Sequence, residues 1–197
     1  MRQKALLAVV ALVAVLLIGA PTAFATNLLT NGSFEAGNFS SWNTTCGLCE
    51  VVSGPFYAYT GDQDGDGFYA IMGDVGSDGT FSQTFSDHAG QHYIFSFWFA
   101  SVGDSPSDFS AYWDGGTALL SLTNPNTGAT WSEYSYSVTG TGSDTISFTE
   151  RDDPGYMALD NVSVSPGTTP EPSSLLLLGS GLLTVGGVIR RKFWANR

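Results

Sequence analysis

The chain has 197 residues, with 18 acidic side chains against 7 basic ones. Between Thr26 and Pro172 the imbalance is sharper, because all the acidic residues fall there and Arg151 is the one basic residue. That excludes nucleic acid and anionic surfaces as natural partners and favours divalent cations, which relieve the repulsion between clustered carboxylates.

At the N-terminus, Arg2 and Lys4 precede an apolar run from Ala5 to Ile18, and Ala23-Phe24-Ala25 supplies small residues for cleavage. Residues 1–25 therefore read as a Sec signal peptide, and the rest as an exported chain. The body, residues 26–166, is long enough for one domain with one core. Eleven of the chain's 13 Phe, all 8 Tyr and four of the 5 Trp lie in this body and argue for a packed interior despite the Gly-, Ser- and Thr-rich composition.

Along the body, apolar residues recur with period two rather than 3.6, and Gly, Asp, Asn and Pro clusters separate the runs, which is the pattern of an antiparallel β-sandwich. Asn31-Gly32-Ser33-Phe34-Glu35 opens it with a glycine turn. Cys46 and Cys49 flank Gly-Leu and are followed by a strand from Glu50. In an oxidising compartment they are expected to form a local disulfide. A redox pair would need a helix N-terminus after a strand, and a zinc site would need a second ligand pair. Asp62-Gln-Asp64-Gly-Asp66-Gly67 has the spacing that begins an EF-hand loop, but Gly73 stands where the loop's last glutamate belongs and Phe68–Met72 reads as a strand. It is either a second calcium candidate or a solvated acidic turn.

Further strands are expected at 80–85, 91–100, 109–113, 117–122, 131–138, 144–149 and 156–164. In the clearest, Tyr93, Phe95, Phe97 and Phe99 share one face while His92, Ile94, Ser96 and Trp98 share the other, which marks a central strand. Phe109–Trp113 and Thr117–Leu122 form a hairpin around Asp114-Gly115-Gly116. In the last strand, strict alternation puts Asp160 on the face of Val162 and Val164, toward the core. A carboxylate there needs a partner, with Arg151 or a cation as candidates.

At the C-terminus Pro170-Glu171-Pro172 is followed by an uncharged stretch, Ser173 to Ile189, then by Arg190-Arg191-Lys192. Seventeen residues are enough for a short transmembrane helix, and the basic cluster keeps the extreme C-terminus cytoplasmic. Residues 167–197, comprising linker, helix 173–189 and basic tail, resemble the PEP-CTERM sorting signal. That resemblance implies processing by an exosortase-type protease-transpeptidase, which would remove the helix and pass a membrane-anchored precursor on to the cell surface or extracellular matrix.

The body is similar to the galactose-binding-like jelly rolls that include several carbohydrate-binding modules. The similarity rests on Asn31–Glu35, Trp42, Tyr93–Phe99 and Leu159-Asp160-Asn161-Val162. It implies a structural calcium tying the first strand to the last, with Glu35 and Asp160 as ligands and a carbonyl near Ser33 completing an oxygen shell. Hydrogen bonding of the carboxylates to backbone amides is the alternative. No catalytic constellation stands out. His88 and His92 lack a nucleophile elbow, and Glu150, Asp152 and Asp153 are expected to be solvated. Trp98, Tyr112, Trp113 and Trp131 are either saccharide-stacking platforms or core residues. The expected role is thus a non-enzymatic surface or matrix protein contributing to extracellular polymer or biofilm structure, with a lectin-like saccharide-binding module as the alternative.

Overall fold

Period-two alternation becomes strand throughout. The computed structural model describes residues 26–65 and 67–167. The strands are β1 (Asn43–Thr44), β2 (Glu50–Ser53), β3 (Phe68–Met72), β4 (Gly79–Ser86), β5 (His92–Ser101), β6 (Ser107–Trp113), β7 (Leu120–Thr123), β8 (Ser132–Thr139), β9 (Ser143–Asp152) and β10 (Met157–Pro166). One sheet has the order β1-β4-β9-β6-β7 and the other β2-β3-β10-β5-β8, with every pairing antiparallel. From β3 onward the chain alternates between sheets in jelly-roll order, except at the β6–β7 hairpin, which stays within one sheet, and β1 and β2 are added as edges. The predicted strands are present, with ends shifted by up to three residues. The β6–β7 hairpin closes later than expected, pairing Ala111 with Leu120, and β1 falls in a stretch that reads as loop.

The core lies between the sheets and is aromatic. Phe95, Phe97 and Phe99 of β5, Phe81 of β4, Phe109 of β6 and Phe148 of β9 are all fully buried. Phe148 sits at the centre, with ring centroids 5.0 Å from Phe81, 5.1 Å from Phe97 and 5.7 Å from Phe109. A second, smaller apolar cluster (Tyr59, Tyr69, Ile71, Ala100 and Ala158) occupies the outer face of the β5/β10 sheet. The β2–β3 connection roofs it: Tyr69 donates its hydroxyl to the Gly54 carbonyl (2.9 Å), and Trp131 donates its indole N–H to Gly61 (3.3 Å).

Strand β10 departs from strict alternation. Its register against β5 slips between Asp160 and Ser163, and Asn161 adopts a positive φ of 48°. This is a β-bulge, which adds one residue and reverses which face the following side chains meet. Met157, Leu159, Val162 and Val164 therefore all enter the main core. Asp160 joins Ala158 on the outer face, which corrects the expectation that it lies in line with the valines.

Candidate functional site

The bulge creates the place where the two ends of the body meet. Strand β3 pairs with β10 only from Met157 to Leu159. Beyond that point the N-terminal segment takes over the free edge. Leu28 N donates to Val164 O (2.8 Å) and Val162 N to Gly32 O (2.9 Å). The Asn27 amide acts as a surrogate peptide group, donating to Val162 O (2.9 Å) and accepting from Val164 N (3.0 Å).

The following turn turns one side chain in and leaves the next outside. Phe34 has a φ of 60° and is fully buried against Trp42, 5.6 Å away, while Glu35 is exposed. Asn31 braces the turn: its carbonyl accepts the Trp42 indole N–H (3.0 Å) and its side chain accepts Ala36 N (3.0 Å). Ser33 lies half-buried in this turn.

Glu35 and Asp160 hold opposite ends of one segment. Glu35 Oε1 accepts Phe68 N (2.9 Å), and the fully buried Asp160 accepts Gln63 N (2.9 Å) and Asn161 N (2.6 Å). Between them Asp62 accepts Gly67 N (3.1 Å), and Asp64 accepts the Asn161 side-chain amide (2.8 Å). The two acidic motifs, far apart in sequence, thus form one neighbourhood, with Asp66 outside the described residues. All the side-chain donors to a cation here are hard oxygens, the set that suits calcium rather than zinc. Arg151 is not part of it. It pairs with its neighbour Asp153, with Nε 2.8 Å from Oδ2, which corrects the idea of an Arg151–Asp160 pair.

The second acidic region lies at the far end of β9. Alternation continues to the end of that strand, so Glu150 and Asp152 point inward with Ile146 and Phe148 and are fully buried. They are not solvated, as strand-end neighbours were expected to be. Cys46 and Cys49 form the disulfide and lie against Glu150 Oε1 at 3.1 and 3.5 Å. Disulfide sulfurs have no proton to donate, so these contacts do not hydrate the carboxyl. The Asp74 amide reaches Oε2 at 3.3 Å, and the Asp74 carboxylate accepts Gly47 N and Leu48 N. Burial, reinforced by the Asp74 charge, pushes Glu150 up to about 8. Burial likewise lifts Asp152 to about 6, with the Asp104 charge adding to it and the nearby Gly155 amide partly offsetting it.

The four candidate stacking residues are dispersed. Trp98 is half-buried on the outer face, in register with Asp160 on one side and Glu133 on the other. Tyr112 is half-buried on the outer face of the other sheet. Trp113 packs on Phe85 and Phe95 beside the core. Trp131 packs on Tyr59 and Tyr69 under the roofing loop. Among the described residues no tryptophan is exposed. Sequence reasoning missed Tyr57, which is 58% exposed, and its neighbours Phe56 and Tyr156. The last two line a shallow cleft of about 220 Å³ with Leu48 and Glu50. Phe56 and Tyr57 lie in the connection after β2, where an aromatic carries no periodic signal, and Tyr156 is placed in the last expected strand without a surface role.

Comparison with known proteins agrees with both halves of the reading. Residues 168–192 match the PEP-CTERM protein-sorting motif, so the chain carries that signal, which implies export and a membrane-anchored surface precursor. The motif, the signal peptide (1–25) and the helix (173–189) lie outside the described residues. No curated protein matches the chain in sequence. In structure it is similar to TmCBM61, a carbohydrate-binding module solved with β-1,4-galactotriose, at 18% identity and a TM-score of 0.56 over 73% of this chain and 100% of that one. It is also similar to the K1 cleaved adhesin domain of Lys-gingipain from Porphyromonas gingivalis W83, at 16% identity and a TM-score of 0.51 over 69% and 96%. A third likeness is to tailspike protein 4 of bacteriophage CBA120, at 22% identity and a TM-score of 0.52 over 72% of this chain and 21% of that one. At these identities the likeness establishes the β-sandwich fold.

Proposed function

We propose that this chain is the exported precursor of a non-enzymatic cell-surface or extracellular-matrix protein. It reaches the membrane by the Sec route and is anchored by helix 173–189. An exosortase-type enzyme trims it at the sorting signal, and its jelly-roll body contributes to extracellular polymer or biofilm structure. The observation that carries this reading is the PEP-CTERM match at 168–192. The test is to express the full chain in a host with and without an exosortase-type enzyme and to measure the mass of the surface form. The expected form lacks the C-terminal helix only when the enzyme is present, and replacing Pro170, Glu171 and Pro172 with alanine blocks the trimming. A full-length surface form in both hosts would sink the reading.

Saccharide binding is the second reading. The partly exposed Trp98 beside Glu133 supports it, as does the exposed Tyr57 near Tyr156, since aromatic faces stack on sugar rings. A polysaccharide pull-down with Trp98→Ala and Tyr57→Ala variants tests it. Retention lost in either variant is the expected result, and no retention of the parent chain rules it out. In both readings Glu35, Asp160 and a carbonyl near Ser33, joined by Asp62 and Asp64, hold a structural calcium that stiffens the meeting point of the chain ends. Chelation is then expected to lower Tm, and Asp160→Asn to abolish that drop.

A further inference from the structure

Among the described residues four acidic side chains are fully buried: Asp144, Glu150, Asp152 and Asp160. Three of them are met by donors. Asp144 accepts the Thr141 amide (3.0 Å) and its hydroxyl (2.5 Å), Asp160 accepts two backbone amides, and Glu150 accepts the Asp74 amide. Asp152 differs, because both its oxygens are buried and neither accepts a hydrogen bond. Leaving a buried polar atom without a partner costs roughly 1–3 kcal/mol, and more for a charged one. Asp152 ends β9 beside the loop that carries Asp104, and the Asp104 charge acts directly on it. The two carboxylates share Gly155 as a neighbour. The Gly155 amide approaches Asp152, and Asp104 Oδ2 lies where a Gly155 side chain would begin, 1.9 Å from an ideal Cβ. Asp104 Oδ2 also accepts the Tyr57 hydroxyl (2.9 Å). Arg151, the one Lys or Arg among the described residues, is engaged by Asp153.

We propose that Asp152 and Asp104 hold a hard divalent cation of the calcium type at this end of the sandwich. The site is separate from the meeting point of the chain ends and does not depend on it. Oxygen-only ligands and two carboxylates that share Gly155 as a neighbour match the coordination preference of calcium. The cation supplies the positive charge that no described side chain provides and that the Gly155 amide offsets only in part, and it ties the β5–β6 loop to the end of β9.

The test uses the full chain in detergent, stripped with chelator and titrated with calcium, with terbium as a luminescent substitute. In an Asp160→Asn background one equivalent of calcium is expected to bind and to raise Tm. Adding Asp152→Asn removes that equivalent and the Tm rise, and adding Asp104→Asn, whose side chain is half-buried, weakens binding by at least about tenfold. Calcium-free Tm is expected to rise in Asp152→Asn, because the substitution removes a buried charge. The proposal is overturned if the Asp160→Asn chain binds no calcium. It is equally overturned if adding Asp152→Asn leaves the stoichiometry unchanged, or if Asp104→Asn leaves the affinity unchanged. If Asp160→Asn binds as many calcium ions as the parent, the meeting-point calcium fails while this site stands.

Discussion

The amide of Val162 donates to the carbonyl of Gly32 over 2.9 Å, and the two backbones are so close that a Cβ on Gly32 would lie 2.1 Å from the Val162 carbonyl oxygen. Contact with backbone cannot be relieved by a rotamer change. Gly→Ala ordinarily stabilises by about 0.4–1 kcal/mol where the backbone permits it, but here the overpacking cost of roughly 1–3 kcal/mol wins. Gly32→Ala is expected to lower stability and to speed hydrogen exchange at Leu28 and Val162. Unchanged denaturation midpoints would show that the N-terminal segment is not seated on β10.

Asn27 belongs to the same seam. Asn27→Ala removes the donor to Val162 O and the acceptor for Val164 N and Leu29 N, a loss of roughly 1–3 kcal/mol once buried groups are left unpaired. Because Gly32→Ala opens the same contact, the two effects are expected to be non-additive, the double variant losing less than the sum. Chemical denaturation of the four chains of this cycle measures the coupling. Strict additivity would mean that the residues act independently.

Phe148 distinguishes the two faces of the sandwich. It touches aromatic rings from β4, β5 and β6, so Phe148→Ala is expected to cost about 3–5 kcal/mol, the range for a large cavity in a rigid core. Trp98→Ala, on the partly exposed outer face, is expected to cost less despite removing a larger side chain. Urea midpoints compare them, and the reverse order would contradict the placement of the main core between the sheets.

The inward faces of β5 and β9 were legible because alternation over many residues is a local signal, and the aromatic identities made it strong. The face of Asp160 was not legible. The bulge at Asn161 lies in the pairing with β5, and one extra residue between Asp160 and Ser163 breaks the parity that would carry the face of Val162 and Val164 back to Asp160. The convergence of Asp62 and Asp64 on Glu35 and Asp160 was hidden for another reason: it depends on how the β2–β3 connection folds across a sheet whose strands are distant in sequence. Glu150 and Asp152 were readable in principle. The alternation that buries Ile146 and Phe148 continues through them, and the ordinary expectation that strand-end acids are solvated overrode it.

Glu150 gives the body a pH dependence of definite sign. Burial, reinforced by the Asp74 charge, raises its pKa from the usual 4.5 to about 8, so the native state keeps a proton that the unfolded chain releases. Its contribution is complete below about 4.5 and is lost as pH rises through about 8. Asp152, raised to about 6, adds to the lower part of that fall, leaving pH 6–8 as the window where Glu150 dominates. In chelator-treated protein, Tm is therefore expected to decline between pH 6 and 8. Glu150→Gln, which mimics the protonated acid, is expected to flatten that decline and to make the chain more stable than the parent at pH 8. A parent Tm that rises across the window would mean that Glu150 is ionised in the native state, and that the disulfide and Asp74 leave it far better solvated than its burial requires.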